Sequence, residues 1–189
     1  MILEGLVTSL AADGSMHLAP MGPSVDAGMT RFMLRPFPTS QTYQNLRRHP
    51  EGVFHVTDDV LLLAQASIGR LPNAPAHRSA SLVRGFVLTD ACRAYEFHVG
   101  SVDDSEQRVK MECEVVHAEH LRDFFGFNRA KNAVVEAAIL ATRVHLIPVE
   151  EILTEYAKFD AIVRKTGGEQ ERAALDVLLE YVAEAGRRA

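Results

Sequence analysis

Around residue 117 the hydrophobic period of this chain changes, and that change limits the folds open to it. Arg108, Lys110, Glu112 and Glu114 alternate with Val109, Met111, Cys113 and Val115. A period of two lays one wet face and one dry face along a strand. From about His117 the period is 3.6, and Ala130, Ala133, Val134, Ala137, Ala141 and Val144 fall on one helical face. That face is rich in alanine, so another backbone can approach it closely. After Pro148, the residues Val149, Ile152, Leu153, Tyr156, Phe159 and Val163 define a second helix, which Gly167-Gly168 ends. Leu175, Leu178, Leu179 and Val182 define a third. Strands followed by helices place the chain in the α+β class.

Upstream of the switch, turn residues cut the chain into short strands. Ile2 to Leu10 ends at Asp13-Gly14, a strong two-residue turn signal, and Ser15 to Ala19 follows. Pro20-Met21-Gly22-Pro23 cannot continue a central strand, because proline has no N–H to donate. Thr30 to Leu34 is the next strand, stopped by Pro36 and Pro38. Thr39 then precedes a short polar helix through Leu46 as a hydroxyl cap. Val53 to Thr57 is β-branched and aromatic, hence a strand. Val60 to Ile68 is a helix with Thr57 or Asp58 as cap, and Leu71 to Ala80 is a loop. Leu82 to Leu88, Arg93 to Val99 and Arg108 to Val116 read as a three-stranded meander. About six to eight short strands suggest a small barrel, because closure removes exposed edges. The expected division is a barrel over residues 1–118 and a helical segment packed on it over 119–189.

Composition narrows function. The chain has 189 residues and a formal net charge of −5, which argues against broad nucleic-acid binding while leaving room for one local anion pocket. No apolar run reaches the ~18–20 residues of a membrane span. The start, MILEGLVTSL, lacks a basic n-region, so a soluble, cytoplasmic protein is expected. Cys92 and Cys113 fall on opposite phases of the proposed hairpin and read as free thiols. His117-Ala-Glu-His120 lacks metal-site spacing, and none of the GxSxG, GxxxxGK[ST] or GxGxxG motifs is present.

Three segments could carry chemistry. Arg35-Pro-Phe-Pro-Thr-Ser-Gln-Thr-Tyr-Gln-Asn45 gathers hydroxyls, amides and an arginine at a helix start. Unpaired N–H groups, the positive dipole end and a guanidinium fork together suit a phosphate monoester. The same residues also fit a plain capped helix with a solvated arginine. Pro20-Met21-Gly22-Pro23 is a stiff apolar corner on which a flat ring could stack, or an ordinary turn. Asn128-Arg-Ala-Lys131 opens the alanine-rich helix with a good cap but two cations in its first turn, the wrong sign for the dipole. Either an anion or a partner carboxylate sits there, or both side chains reach away to solvent.

Taken together, Val7 to Gly22, Thr39 to Leu46 and Gly52 to Thr57 resemble the FMN-binding split β-barrel superfamily of flavin reductases and flavoredoxin. The phrases Phe127-Asn-Arg-Ala-Lys131 and Val134 to Arg143 resemble a branch of archaeal and bacterial proteins known only as a domain of unknown function. The resemblance implies FMN, held non-covalently at a homodimer interface. Its phosphate would sit on Arg35, Thr39, Gln41 and Thr42, with Phe37 in the same loop and Asn45 supporting it. The isoalloxazine would lie against Pro20, Met21 and Gly22, with Thr57 near the ribityl chain or ring, and Arg129 and Lys131 reaching in, from the partner subunit or the same one. His17 and His55 stand where the superfamily pattern has asparagine. The implied activity is an oxidoreductase moving electrons or hydride between a nicotinamide or protein donor and a small acceptor. The alternative is a non-catalytic FMN or cofactor carrier beside pterin-dependent one-carbon metabolism.

Overall fold

The computed structural model describes residues 1–188. The chain forms two compact units, each built from two separate stretches: residues 1–57 with 75–124, and residues 58–74 with 125 onward.

The first unit holds β1 (Gly5–Leu10), β2 (Met16–Met21), β3 (Ser24–Val25), β4 (Arg31–Leu34), α1 (Gln41–Arg48) and β5 (Glu51–Val56). After the excursion into the second unit come β6 (His77–Ser79), β7 (Phe86–Leu88), β8 (Arg93–Asp103) and β9 (Lys110–His120). Seven strands make one antiparallel sheet in the order β2-β1-β5-β8-β9-β4-β3. An Ile2–Ser24 bridge, with Leu3 N–H to Pro23 O and Val25 N–H to Met1 O, joins the lead-in of β1 to β3. β3, the last strand of the order, therefore meets the chain leading into β1, the second, and the sheet curls onto itself while β2 remains an edge. Register shifts at Glu96/Phe97 and Val99/Ser101 add to the curl. Past the first of these Ala118 rather than His117 pairs with Tyr95, while the outward phase that began at Arg108 continues through Val116, which is apolar but exposed.

The curled interior is filled by Val7, Phe32, Leu34, Phe54, Phe97 and Met111. Phe54 and Phe97 are fully buried against Phe32, with ring centroids 5.7 and 5.1 Å from it. Each such ring contributes about 1.5–3 kcal/mol through burial. Gly5 permits the closest backbone approach in the unit, since a Cβ there would stand 2.3 Å from His55 O. Asp13-Gly14 turns as expected, with Gly14 at φ +85°.

Several local expectations are corrected. β2 continues through Pro20 and Met21 instead of stopping at Ala19; it is an edge strand whose one neighbour is β1, the kind of strand in which a proline is tolerated. The expected loop from Leu71 to Ala80 contains β6, and the expected strand from Leu82 shrinks to Phe86–Leu88. β7 pairs with β6 and not with β8, so the meander has two strands of the main sheet, not three. The β6–β7 pair lies over the outer face of the sheet, where Val83 and Val87 pack on Val53 and Ala94. The cap of α1 is Ser40, one residue after Thr39.

The second unit holds α2 (Val60–Ser67), α3 (Arg129–Ala141), α4 (Val149–Thr166) and α5 (Glu169–Arg188). α2 starts at Val60 as expected, but its N-cap is Asp59 and neither Thr57 nor Asp58: Asp59 Oδ1 accepts from Leu62 N–H at 2.9 Å. Ala130, Ala133, Val134, Ala137 and Ala141 are buried, so the alanine face of α3 is the centre of this unit. Leu153 and Leu179 point outward, 37% and 42% exposed, although their spacing places them near the apolar faces.

Candidate functional site

The start of α1 carries the densest polar constellation. Pro36 and Pro38 hold the chain extended after β4, and Ser40 then caps the helix, its Oγ accepting from Tyr43 N–H at 3.3 Å and donating to Phe37 O at 2.8 Å. No carboxylate lies in the first turn, so the positive end of the helix is left for an external anion. Behind it runs a hydrogen-bonded chain. His17 Nε2 lies 3.3 Å from Thr42 Oγ1. Gln41 Nε2 donates to Asn45 Oδ1 at 2.7 Å, and Asn45 Nδ2 donates to Ser9 Oγ at 3.0 Å. Ser9 faces His17 across the β1–β2 ladder, which links the two ends of the chain. Arg48 Nη2 completes it, donating to Asn45 Oδ1 at 2.9 Å and Leu10 O at 3.1 Å. Asn45 is fully buried with both amide atoms in use, so it positions α1 on the β1–β2 hairpin. Burial holds the His17 ring below its ordinary pKa, which favours a neutral ring.

Arg35 and Phe37 lie toward the β8–β9 turn. Arg35 Nη2 is 3.4 Å from Glu106 Oε2, and the Arg108 guanidinium lies 4.6 Å from the centroid of the Phe37 ring. Thr39 and Gln41 are exposed. Pro20 and Met21 run along the β2 edge opposite Leu6 and Gly5, half-buried, and Gly22 follows. Thr57 is half-buried immediately after β5. The structure therefore joins His17, Gln41, Thr42 and Asn45 directly. It sets Pro20, Met21 and Gly22 on the strand that carries His17, and turns Arg35 and Phe37 toward a neighbouring acidic turn.

His55 has a different place. It is fully buried; Nδ1 donates to Leu6 O at 3.3 Å, and Nε2 accepts from Leu88 N–H at 3.0 Å. Burial pushes its pKa down to about 4, against a smaller opposing effect of the Leu6 bond. Two other buried polar side chains on the same outer face act alike. Thr8 Oγ1 donates to Phe86 O at 2.6 Å. The Glu96 carboxylate accepts from the N–H groups of Ser81, Leu82 and Val83 at 2.7, 2.6 and 3.1 Å. Three neighbouring strands thus fasten residues 81–88 through backbone atoms. Sequence reasoning missed this role for Thr8 and Glu96; the one available signal was a charged and a hydroxyl residue in otherwise strand-like runs.

Arg129 and Lys131 belong to the second unit. Asn128 caps α3 as expected, its Oδ1 accepting from Ala130 and Lys131 N–H at 2.8 and 3.1 Å. Lys131 Nζ lies 2.8 Å from Glu171 Oε1 and donates to Asp58 O at 2.7 Å and Gln170 Oε1 at 3.0 Å. The carboxylate that answers the dipole conflict is therefore the chain's own Glu171. Burial raises the pKa of Glu171, but bonds from Lys131 and Gly168 N–H outweigh it and hold the group below its ordinary value. Arg129 is exposed.

Both cysteines are buried and outside any disulfide, and burial pushes the Cys113 thiol up to about 12, far from a reactive thiolate. Among the described residues no group of three His, Cys, Asp or Glu is arranged to hold a metal ion, and no helix is long and apolar enough to cross a membrane.

Comparison with known proteins bears on the whole chain. No curated protein matches it. Among solved structures, an FMN-bound DUF447 protein of Methanosarcina mazei aligns over 95% of this chain and 94% of its own, with a TM-score of 0.82 at 22% identity. A 2-nitrobenzoate 2-nitroreductase of Pseudomonas fluorescens covers 62% of this chain and 64% of its own (TM-score 0.53, 19% identity). The flavin reductase of a Pseudomonas putida styrene monooxygenase covers 64% and 82% (TM-score 0.54, 10% identity). At these identities the likeness is one of fold: an α+β split barrel of the flavin-reductase type, with C-terminal helices. Residues 3–122 match the N-terminal domain, and residues 128–180 the C-terminal part, of the family described as protein of unknown function (DUF447); the chain belongs to that family.

Proposed function

We propose that this protein binds FMN and acts as an oxidoreductase, moving electrons or hydride between a nicotinamide or protein donor and a small acceptor. The observation that carries this reading is the start of α1: a helix end with no carboxylate, ringed by neutral donors and backed by the His17–Thr42 contact. That donor set fits a phosphate monoester. The FMN-bound relative with the same fold supports it.

In this reading Arg35, Thr39, Gln41 and Thr42 hold the phosphate, and Phe37 flanks it. Asn45 fixes the helix and does not touch the ligand. Pro20, Met21 and Gly22 offer the flat apolar edge for the ring, and Thr57 a hydroxyl beside it. Lys131 stays with Glu171. FMN, when bound, supplies the redox chemistry; the chain supplies position, donors and exclusion of water. A homodimer with the flavin at its interface belongs to the same proposal.

The test is the visible spectrum of the protein purified without added cofactor, followed by denaturation and identification of any released chromophore. A yellow protein releasing FMN supports the reading. A colourless protein that also fails to take up FMN overturns it. Anaerobic addition of NADH or NADPH then separates enzyme from carrier: bleaching of the bound flavin supports turnover. A flavin that no nicotinamide or reduced protein donor bleaches favours the carrier, with pterin-linked one-carbon metabolism as its setting. Light scattering with FMN present tests the dimer.

A further inference from the structure

Two arginines from separate elements end on one acidic turn. Arg35, the first residue after β4, has Nη2 3.4 Å from Glu106 Oε2. Arg47, in the last turn of α1, has Nη1 3.5 Å from Asp104 Oδ2. Lys110, at the start of β9, also pairs with Glu106. The third carboxylate of the turn is used locally: Asp103 Oδ1 accepts from Ser105 N–H at 3.0 Å and Ser105 Oγ–H at 2.6 Å. Asp104 and Glu106 are therefore the carboxylates that the turn presents to the arginines.

Both arginine pairs are long and wet. Their side chains are 44% and 49% exposed for Arg35–Glu106, and 50% and 63% for Arg47–Asp104. Exposed pairs of this kind add little to folding stability, and they exchange readily for another anion. A carboxylate brings one negative charge and two oxygens. A phosphate monoester brings close to two charges and three oxygens, so it outcompetes Glu106 for the Arg35 fork. It does so against a cost, because Glu106 must either leave Arg35 or remain as a like charge beside the phosphate.

We propose that Glu106, with Asp104 beside it, sets the affinity of the phosphate subsite as an internal competing anion, occupying Arg35 until a phosphate displaces it. The inference rests on the flavin reading above. It makes Glu106 an antagonist of binding whose effect runs through Arg35.

The experiment is an equilibrium titration with FMN, read by quenching of flavin fluorescence, on the wild-type full chain, Glu106→Gln, Asp104→Asn, Arg35→Ala and the Arg35→Ala/Glu106→Gln double variant. Glu106→Gln is expected to bind FMN about two- to five-fold tighter, the scale of one exposed ion pair released, and Asp104→Asn to shift in the same direction by less. The gain from Glu106→Gln is expected to vanish in the Arg35→Ala background. Wild-type affinity in Glu106→Gln overturns the inference alone. So does a gain that persists undiminished without Arg35, since that is net charge and not exchange. Failure of both wild type and Glu106→Gln to take up FMN overturns the flavin reading and this inference with it.

Discussion

At position 55 a neutral imidazole bridges Leu6 O on β1 and Leu88 N–H on β7, with one ring nitrogen donating and the other accepting. The burial that allows this also makes the site sensitive to acid. Its pKa falls from 6.5 to about 4 on folding, so between those values the unfolded chain binds more protons than the folded one. The contribution is complete above about pH 6.5 and is lost as pH falls toward 4, by on the order of 3 kcal/mol. Urea unfolding across that range checks the slope. His55→Asn, which keeps one donor and one acceptor, is expected to flatten this part of the profile. At the candidate site, Thr42→Ala and Arg35→Ala are each expected to weaken FMN binding by about 1–3 kcal/mol, measured by the same titration as above. The residue types at the start of α1 were legible in the sequence, because caps and clustered donors announce themselves locally. The fate of His55 was not: its partners lie 49 and 33 positions away, and nothing in an isolated strand tells an imidazole facing a ligand from one facing two backbones.

Elements differ in how openly the sequence declares them. β9 and α3 were readable because each keeps one period for several turns or repeats, and Met111, Cys113, Ala133 and Ala137 are buried as that period requires. β7 was misassigned to the main sheet because alternation identifies a strand without naming its neighbour. Its true place depends on Thr8, His55 and Glu96, drawn from three other strands. Glu96 has the largest share. Its fully buried carboxylate satisfies three consecutive backbone donors, and Glu96→Ala would strand all three. The expected loss is at least about 2 kcal/mol, with Ser81, Leu82 and Val83 amides exchanging faster than those of β5 in hydrogen-exchange measurements. An unchanged exchange pattern would show that the segment is held by Val83 and Val87 packing instead. In α3 the conflict between two first-turn cations and the helix dipole was visible in the sequence. Its resolution by Glu171 required the fold, since the partner stands forty positions later.

Across the whole molecule, the α+β class and the order of strands before helices follow from the change of period near residue 117. The division of the chain does not, because it is discontinuous: the stretch 58–74 leaves the strands and joins the C-terminal helices. Val60, Leu63 and Ala64 of α2 are buried among residues of α3, α4 and α5. A fragment of residues 1–124 keeps every strand yet strips those three of their partners. It is expected to bind the dye ANS and to aggregate, whereas the full chain stays dye-silent and does not aggregate; a fragment that is dye-silent and free of aggregates would mean that α2 needs no cover from the C-terminal helices. This interleaving also sets a timetable for synthesis. On the ribosome α2 is made about sixty residues before α3 begins. At roughly 5–20 residues per second that is a wait of several seconds. For that interval a finished helix with an apolar stripe has nothing of its own to rest on, and its shelter must come from the nascent chain's other contacts or from a chaperone.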